Sequence, residues 1–202
     1  MPLKKNYCII KKAVGLEVCN FLCDYLDNKR EIYKILVNNK HISMFDSFHG
    51  NSENKDTQRQ NGLDTYSVYG DAALDTLLVA LKKTFEEKEK EELIPTYSFA
   101  RVYTTGEILY KHLDRPSCTI SGTLFLGGDN WEIFLRDKDK KIKVNLNQGD
   151  ILMYYGDKLP HWRDQFIGNE CFQVFLHYNK KNDPNSSLYD GRLFIGVPNY
   201  VR

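Results

Sequence analysis

Beyond Pro95 the sequence divides into eight short segments: TYSFARVY, EILYKHL, CTISGTLFL, WEIFLRD, KIKVNLN, DILMYYG, LPHWRD and CFQVFLHY. Several alternate polar with apolar residues, or are rich in β-branched and aromatic side chains, as half-buried strands are. Clusters of Gly, Asp and Asn separate them, too short to house crossover helices. Consecutive short strands joined by tight turns predict an antiparallel sandwich or barrel, not a βαβ sheet.

The first half reads differently. Residues 7–11 predict a short strand. In GLEVCNFLCDYLDNKREIYKIL, the apolar positions Leu16, Cys19, Phe21, Leu22, Tyr25 and Leu26 recur at helical spacing. A second helix is predicted over 71–92, with Asp71 as N-cap and Ala73, Leu77, Leu78, Leu81 and Phe85 as its apolar face. Between the helices, residues 38–64 are polar and turn-rich; the stretch 41–65 is a solvated loop or a candidate lid. The chain is thus expected to be one α+β, mainly β domain over 1–202. Residues 1–94 form a helical support on one outer face, 95–179 the β core, and 180–202 a turn-rich tail that wraps the body.

Composition removes several function classes. Net charge is +1 and the charges are interspersed, so no basic stripe marks a nucleic-acid footprint. The apolar run near the N-terminus is too short for a signal segment and no stretch could span a bilayer, which predicts a soluble, cytoplasmic protein without membrane association. Five cysteines, an odd number with no CxxC pair, predict reduced thiols; their spacings do not suit a zinc site.

Three residues carry candidate chemistry. His112 and Asp114 stand two apart at the end of the second segment, and i, i+2 side chains on a strand share a face. His161, in LPHWRD, is the candidate third ligand, brought in from the seventh segment. Two imidazoles and one carboxylate on one side of an ion leave positions open opposite, the facial arrangement of oxygen-activating iron(II) sites. The dipeptide pattern alone is weak: sixteen Asp and five His in this chain give roughly 0.4 H-x-D matches by chance. Its position in the strand pattern gives it weight.

The segments ARVYTTGEILYKHLDRPSCTISGTLFLGG, QGDILMYYGDKLPHWRDQF and CFQVFLHYN together resemble the 2-oxoglutarate/iron(II) dioxygenases of the prolyl 4-hydroxylase-like superfamily. The small microbial and viral members with an H-x-D-R…H-W-R pattern are the most similar. The resemblance covers 95–179, and YSVYGD at 66–71 also matches that subgroup. It implies a double-stranded β-helix (a distorted, cupin-like jelly roll), iron ligands at His112, Asp114 and His161, and 2-oxoglutarate and dioxygen as co-substrates. It further implies a hydroxylase acting on a C–H bond of a peptide, a protein or a small molecule, with a prolyl residue as the family-level expectation.

2-Oxoglutarate needs a cation for its distal carboxylate, since a buried unpaired carboxylate is costly. Prolyl hydroxylases place that cation nine or ten residues after the distal histidine; here those positions are Glu170 and Cys171. Arg163, two residues after His161, is the expected replacement and Arg101 the second choice, with Tyr103 as a hydroxyl donor. Arg115 directly follows Asp114 and would face away from the ion, to orient a substrate or brace a loop. His177 reads as a structural or supporting histidine, Trp131 and Trp162 as core aromatics, and His41 and His49 as exposed. Two other readings stay open: a cupin-like module binding a sugar or metabolite, and a hydrolytic zinc enzyme with the same ligands.

Overall fold

A computed structural model describes residues 6–44, 46, 48–50 and 66–201. In chain order the elements are β1 (Tyr7–Ile10), α1 (Leu16–Asn38), β2 (Tyr66–Tyr69), α2 (Ala72–Glu89), β3 (Leu93–Thr104), β4 (Leu109–His112), β5 (Ile120–Gly128), β6 (Ile133–Asp137), β7 (Lys140–Val144), β8 (Ile151–Tyr154), β9 (His161–Arg163) and β10 (Glu170–Lys180). All pairings are antiparallel. They build a large sheet, ordered β1-β8-β5-β10-β3-β2, and a small one, ordered β4-β9-β6-β7. The eight expected strands are β3 to β10. Strand β2 lies in a segment given no secondary structure from sequence. Most of the candidate lid, residues 45, 47 and 51–65, lies outside the described residues.

Alternation sorts the large sheet into two faces. Ala100, Val102, Leu124, Leu126, Ile151, Met153, Val174 and Leu176 point outward and join Leu22, Leu26, Leu74, Leu78 and Phe85 of the helices in one core. Both helices therefore lie on the outer face, as expected. Phe85 comes so near β5 that a Cβ on Gly122 would stand 2.4 Å from its ring; only glycine admits the helix there. A second core fills the space between the sheets, with Tyr103, Leu109, Phe125, Trp131, Leu135, Leu152, Tyr154 and Phe166 among its members.

Three expectations need correction. The single apolar face expected on α1 is split: Cys19, Leu22 and Leu26 are buried, whereas Leu16 is 54% and Phe21 63% exposed. Pro95 does not precede β3 but lies within it, paired with Tyr178 where the β10 register slips. A proline withholds no needed N–H at such a bulge. Asp114 lies beyond β4, which ends at His112. As expected, Asp71 caps α2, accepting from the Ala73 and Leu74 N–H groups at 2.9 and 3.4 Å. The five cysteines are free. Among the described residues no helix is long and apolar enough to cross a membrane.

The C-terminal tail is fastened by one buried ion pair. Arg192 Nη1 donates to Asp75 Oδ2 at 2.7 Å, with both side chains fully buried. Ser98 N and Oγ donate to the other oxygen, Asp75 Oδ1, at 3.0 and 2.7 Å. Breaking one half of such a pair strands the other charge in a low dielectric, at a cost of about 3–5 kcal/mol. Arg192→Ala should therefore lower the urea midpoint strongly. A midpoint equal to that of the parent protein would show that the tail is not held this way.

Candidate metal centre

Strand pairing brings the three candidate ligands together. His112 and His161 are direct partners across β4 and β9, and their rings stand 4.2 Å apart, centroid to centroid. The Asp114 N–H donates to the Gly156 carbonyl at 2.9 Å, which ties the turn after β4 to the chain after β8. Asp114 Oδ1 then lies 3.7 Å from His112 Nε2 and 3.5 Å from His161 Nε2. One donor atom from each residue falls within 4.8 Å of the others.

Local hydrogen bonds prepare each donor. His112 Nδ1 is 2.7 Å from the Tyr110 carbonyl and His161 Nδ1 2.9 Å from the Leu159 carbonyl. A carbonyl only accepts, so Nδ1 carries the proton in both rings and, in the neutral imidazole, Nε2 presents its lone pair. Asp114 Oδ2 accepts from Ser121 Oγ at 2.6 Å, leaving Oδ1 turned toward the imidazoles. Ser121 spends its one proton on this bond, so its oxygen accepts from His177 Nδ1, 3.0 Å away. Gly156 leaves room for the arrangement: a Cβ there would stand 2.1 Å from Asp114 Oδ2 and 2.4 Å from Ser121 Oγ.

The register explains why Ser121 and His177 are present. Tyr97, His177, Ser121 and Tyr154 are consecutive cross-strand neighbours on β3, β10, β5 and β8, all on the inner face. Ser121 holds the carboxylate, Tyr154 packs edge-on against His161 at 4.8 Å, and Tyr97 packs on His177 at 4.6 Å. Burial pushes the His177 pKa from 6.5 to about 4, against the opposing pull of Asp114; the ring is neutral near pH 7 and acts as a donor. Burial alone would raise the Asp114 carboxyl. When protonated, the facing His112 and His161 rings donate to it, and the positive charge of His161 and His177 adds to this, holding it well below its usual range. The site is therefore one where a carboxylate stays ionised and positive charge is favoured.

Two imidazole nitrogens and one carboxylate oxygen, with no thiolate among them, suit a divalent transition ion of the iron(II) kind. No family model matches the chain, and no curated protein does either. Solved structures do. A Pseudomonas putida prolyl-4-hydroxylase aligns with a TM-score of 0.63 at 12% identity, over 89% of this chain and 95% of its own. HygX from Streptomyces hygroscopicus, solved with nickel and 2-oxoglutarate bound, aligns at 0.61 and 10% identity, over 88% and 84%. The viral collagen prolyl hydroxylase of Paramecium bursaria Chlorella virus-1, solved as a 2-oxoglutarate complex, aligns at 0.58 and 13%, over 87% and 96%. The fold is that of the 2-oxoglutarate/iron(II) oxygenases. At this level of identity the likeness establishes the jelly-roll architecture, and the chemistry has to be argued from the residues.

Within this oxygenase fold the two candidate arginines have different surroundings. Arg163 follows His161 on β9 and is 1% exposed. Its Nη1 donates to the Trp131 carbonyl and the guanidinium lies 5.1 Å from the Trp131 ring, while among the described residues Nε and Nη2 have no hydrogen-bond partner. Burial lowers its pKa, the nearby Cys171, Tyr103 and Tyr154 opposing. Arg101 is equally buried, but its Nη2 is paired with Glu107 at 2.6 Å, and Glu107 also accepts from the Thr104 N–H. Tyr103 is buried beside both guanidiniums; burial pushes its pKa up to about 12, so the phenol remains a donor. Glu170 pairs with Arg30 at 2.6 Å, and Cys171 is buried.

The remaining candidates are structural in their contacts. Arg115 covers the Tyr97 ring at 4.4 Å and donates to Asp190 of the tail at 2.8 Å, a bracing position. Trp131 is buried; Trp162 is half-buried and stacks on Phe134. His41 is exposed, whereas His49 is half-buried with its ring 3.0 Å from Asp46, contrary to expectation. Sequence reasoning passed over Ser121, Glu107 and Gly156. Ser121 was detectable: it alternates with Thr123 and Phe125 in CTISGTLFL, a polar residue on the inward phase of a strand.

His177 makes a pH prediction possible. Between pH 6.5 and 4 the unfolded chain binds a proton that the folded chain excludes, so stability falls as pH falls through that window, by up to ~1 kcal/mol per pH unit. His177→Phe should flatten this part of the urea-midpoint profile relative to the parent protein. Parallel profiles would contradict the buried, neutral assignment.

Proposed function

We propose that this chain is a non-haem iron(II)- and 2-oxoglutarate-dependent dioxygenase that hydroxylates a C–H bond. The observation that carries the reading is a juxtaposition on β9. His161 belongs to a convergent His-Asp-His set, and two residues along the same strand sits Arg163, a buried guanidinium whose Nε and Nη2 have no hydrogen-bond partner among the described residues. A buried arginine without an anion is costly, and an anion placed there would be recognised by charge-assisted bonds. Side chains at i and i+2 on a strand are separated by about 6.6–6.8 Å along its axis, a span that a five-carbon dicarboxylate can bridge.

In this reading His112, Asp114 and His161 hold the iron, which together with 2-oxoglutarate and dioxygen would supply the oxidising chemistry. The protein's own contribution is placement. Ser121 and Gly156 fix Asp114 so that one carboxylate oxygen is offered. The Tyr110 and Leu159 carbonyls fix both ring tautomers. Arg163 binds the distal carboxylate of the co-substrate, and Tyr103 donates to it. Arg101 is neutralised by Glu107 and contributes polarity without a net charge. Tyr154, Trp131, Phe166, Leu109 and Leu152 close the space between the sheets to water, which strengthens each polar contact inside it.

An amino-acid residue within a peptide, a prolyl residue first, is the proposed substrate. The prolyl hydroxylases among the structurally similar proteins support it, as does a row of half-buried aromatics on the inner face, Tyr69, Tyr97, Phe99 and Phe175. Incubating the iron-loaded protein with 2-oxoglutarate and following succinate, with and without proline-containing peptides, tests the proposal. Succinate is expected to form and to rise with an accepted peptide. His112→Ala and Asp114→Ala are expected to abolish it. Arg163→Ala should raise the KM for 2-oxoglutarate by roughly 10- to 100-fold, about the loss of one charge-assisted contact, with iron retention unchanged. No succinate under any condition would favour a jelly-roll binding module instead; an unchanged KM would move the co-substrate cation to Arg101.

A further inference from the structure

Helix α1 carries two apolar stripes; among the described residues one is buried in the core, and of the other only Tyr25 packs against it, its hydroxyl donating to Asp71 at 2.9 Å. Cys19, Leu22, Leu26 and Tyr33 pack into the outer core. On the other side of the helix Val18, Phe21, Tyr25, Asn28, Ile32 and Ile35 follow the alternating three-and-four spacing of heptad a and d positions. Val18 is 45% exposed, Phe21 63%, Ile32 54% and Ile35 58%. Single exposed apolar side chains need no explanation. A row of them along about 26 Å of one helix is a contiguous apolar surface, which monomers rarely present.

We propose that this stripe is the seam of a homodimer, in which α1 of a second copy packs against it parallel and in register. A heptad stripe is complementary to itself, which is what a two-fold interface requires. Asn28 is the one polar residue in the stripe. In the parallel register it meets Asn28 of the partner subunit, amide to amide; a shifted register would set it against an apolar side chain. Charge selects the direction. Glu17, Asp24 and Glu31 occupy the flanking g positions and Lys29 an e position. Antiparallel packing sets g against g, acid against acid. Parallel packing sets Asp24 against Lys29 of the partner subunit. Lys29 already contacts Asp71 at 2.5 Å, and an ammonium has donors for both. The area that such a seam and its flanks would bury is roughly 1,000 Å² in total, near the lower bound for a specific dimer, so the dimer is expected to be weak and reversible.

Analytical ultracentrifugation of the full chain, from micromolar to sub-millimolar concentration, tests the inference. A reversible monomer–dimer equilibrium is expected. Phe21→Glu and Ile32→Glu, each at an exposed position, should weaken it by about tenfold or more while leaving the circular-dichroism melt of the monomer unchanged. Asn28→Cys should form an intersubunit disulfide under mild oxidation, whereas the parent protein, with its own five cysteines, is expected not to. A monomer at every concentration would overturn the proposal, as would a dimer indifferent to both glutamates. A dimer sensitive to them whose Asn28→Cys variant fails to cross-link would overturn the parallel register.

Discussion

The pairing of β4 with β9 is the constraint on which the site depends. It sets His112 opposite His161, so two residues forty-nine apart in sequence become neighbours. Both strands are short, four and three residues, and the second lies between β4 and β6 in the small sheet. A slip of one residue would send one imidazole to the face opposite the other. The large sheet then supplies what the small one lacks, a fixed partner for Asp114, through Ser121, and the glycine just past β8, Gly156, leaves the carboxylate the space a side chain would fill.

The distribution of buried charge separates structure from chemistry. The Asp75–Arg192 and Arg101–Glu107 pairs are complete: each charge has its counter-charge within hydrogen-bonding distance. Arg163 is buried to the same degree and, among the described residues, has no counter-charge, only the Trp131 carbonyl and the Trp131 ring, 5.1 Å away. Retaining an unpaired guanidinium in a protein interior opposes stability, a cost that the co-substrate carboxylate proposed above would offset. The metal-type cluster shows the complementary signature, a carboxylate held ionised by the facing imidazoles and ready for more positive charge.

Much of this was legible in the sequence, because period-two alternation and turn residues report strands directly. The eight C-terminal strands and the His112, Asp114, His161 set could be read that way, and the structure brings the set together. What stayed hidden depends on contacts remote in sequence. The Ser121–His177 bond exists only because β5 lies beside β10. Arg101 and Arg163 look alike as residues, and differ because Glu107 reaches one and not the other. On α1 the apolar pattern read as one face because a 3.6-residue period blurs two stripes separated by less than half a turn at their edges; only packing shows which is buried. Pro95 reads as a boundary in the sequence, since no local signal announces the register slip at Tyr178 that accommodates it.

The central claim, that one ion is held by His112, Asp114 and His161 and chelated by a co-substrate anchored at Arg163, is tested most directly by anaerobic visible absorption. Iron(II) and 2-oxoglutarate are added to the full chain and the charge-transfer band of the chelate is followed. A band that saturates at one iron per chain, and is lost in His161→Ala, is the predicted result. No band in the parent protein, or an equal band in His161→Ala, would contradict the account.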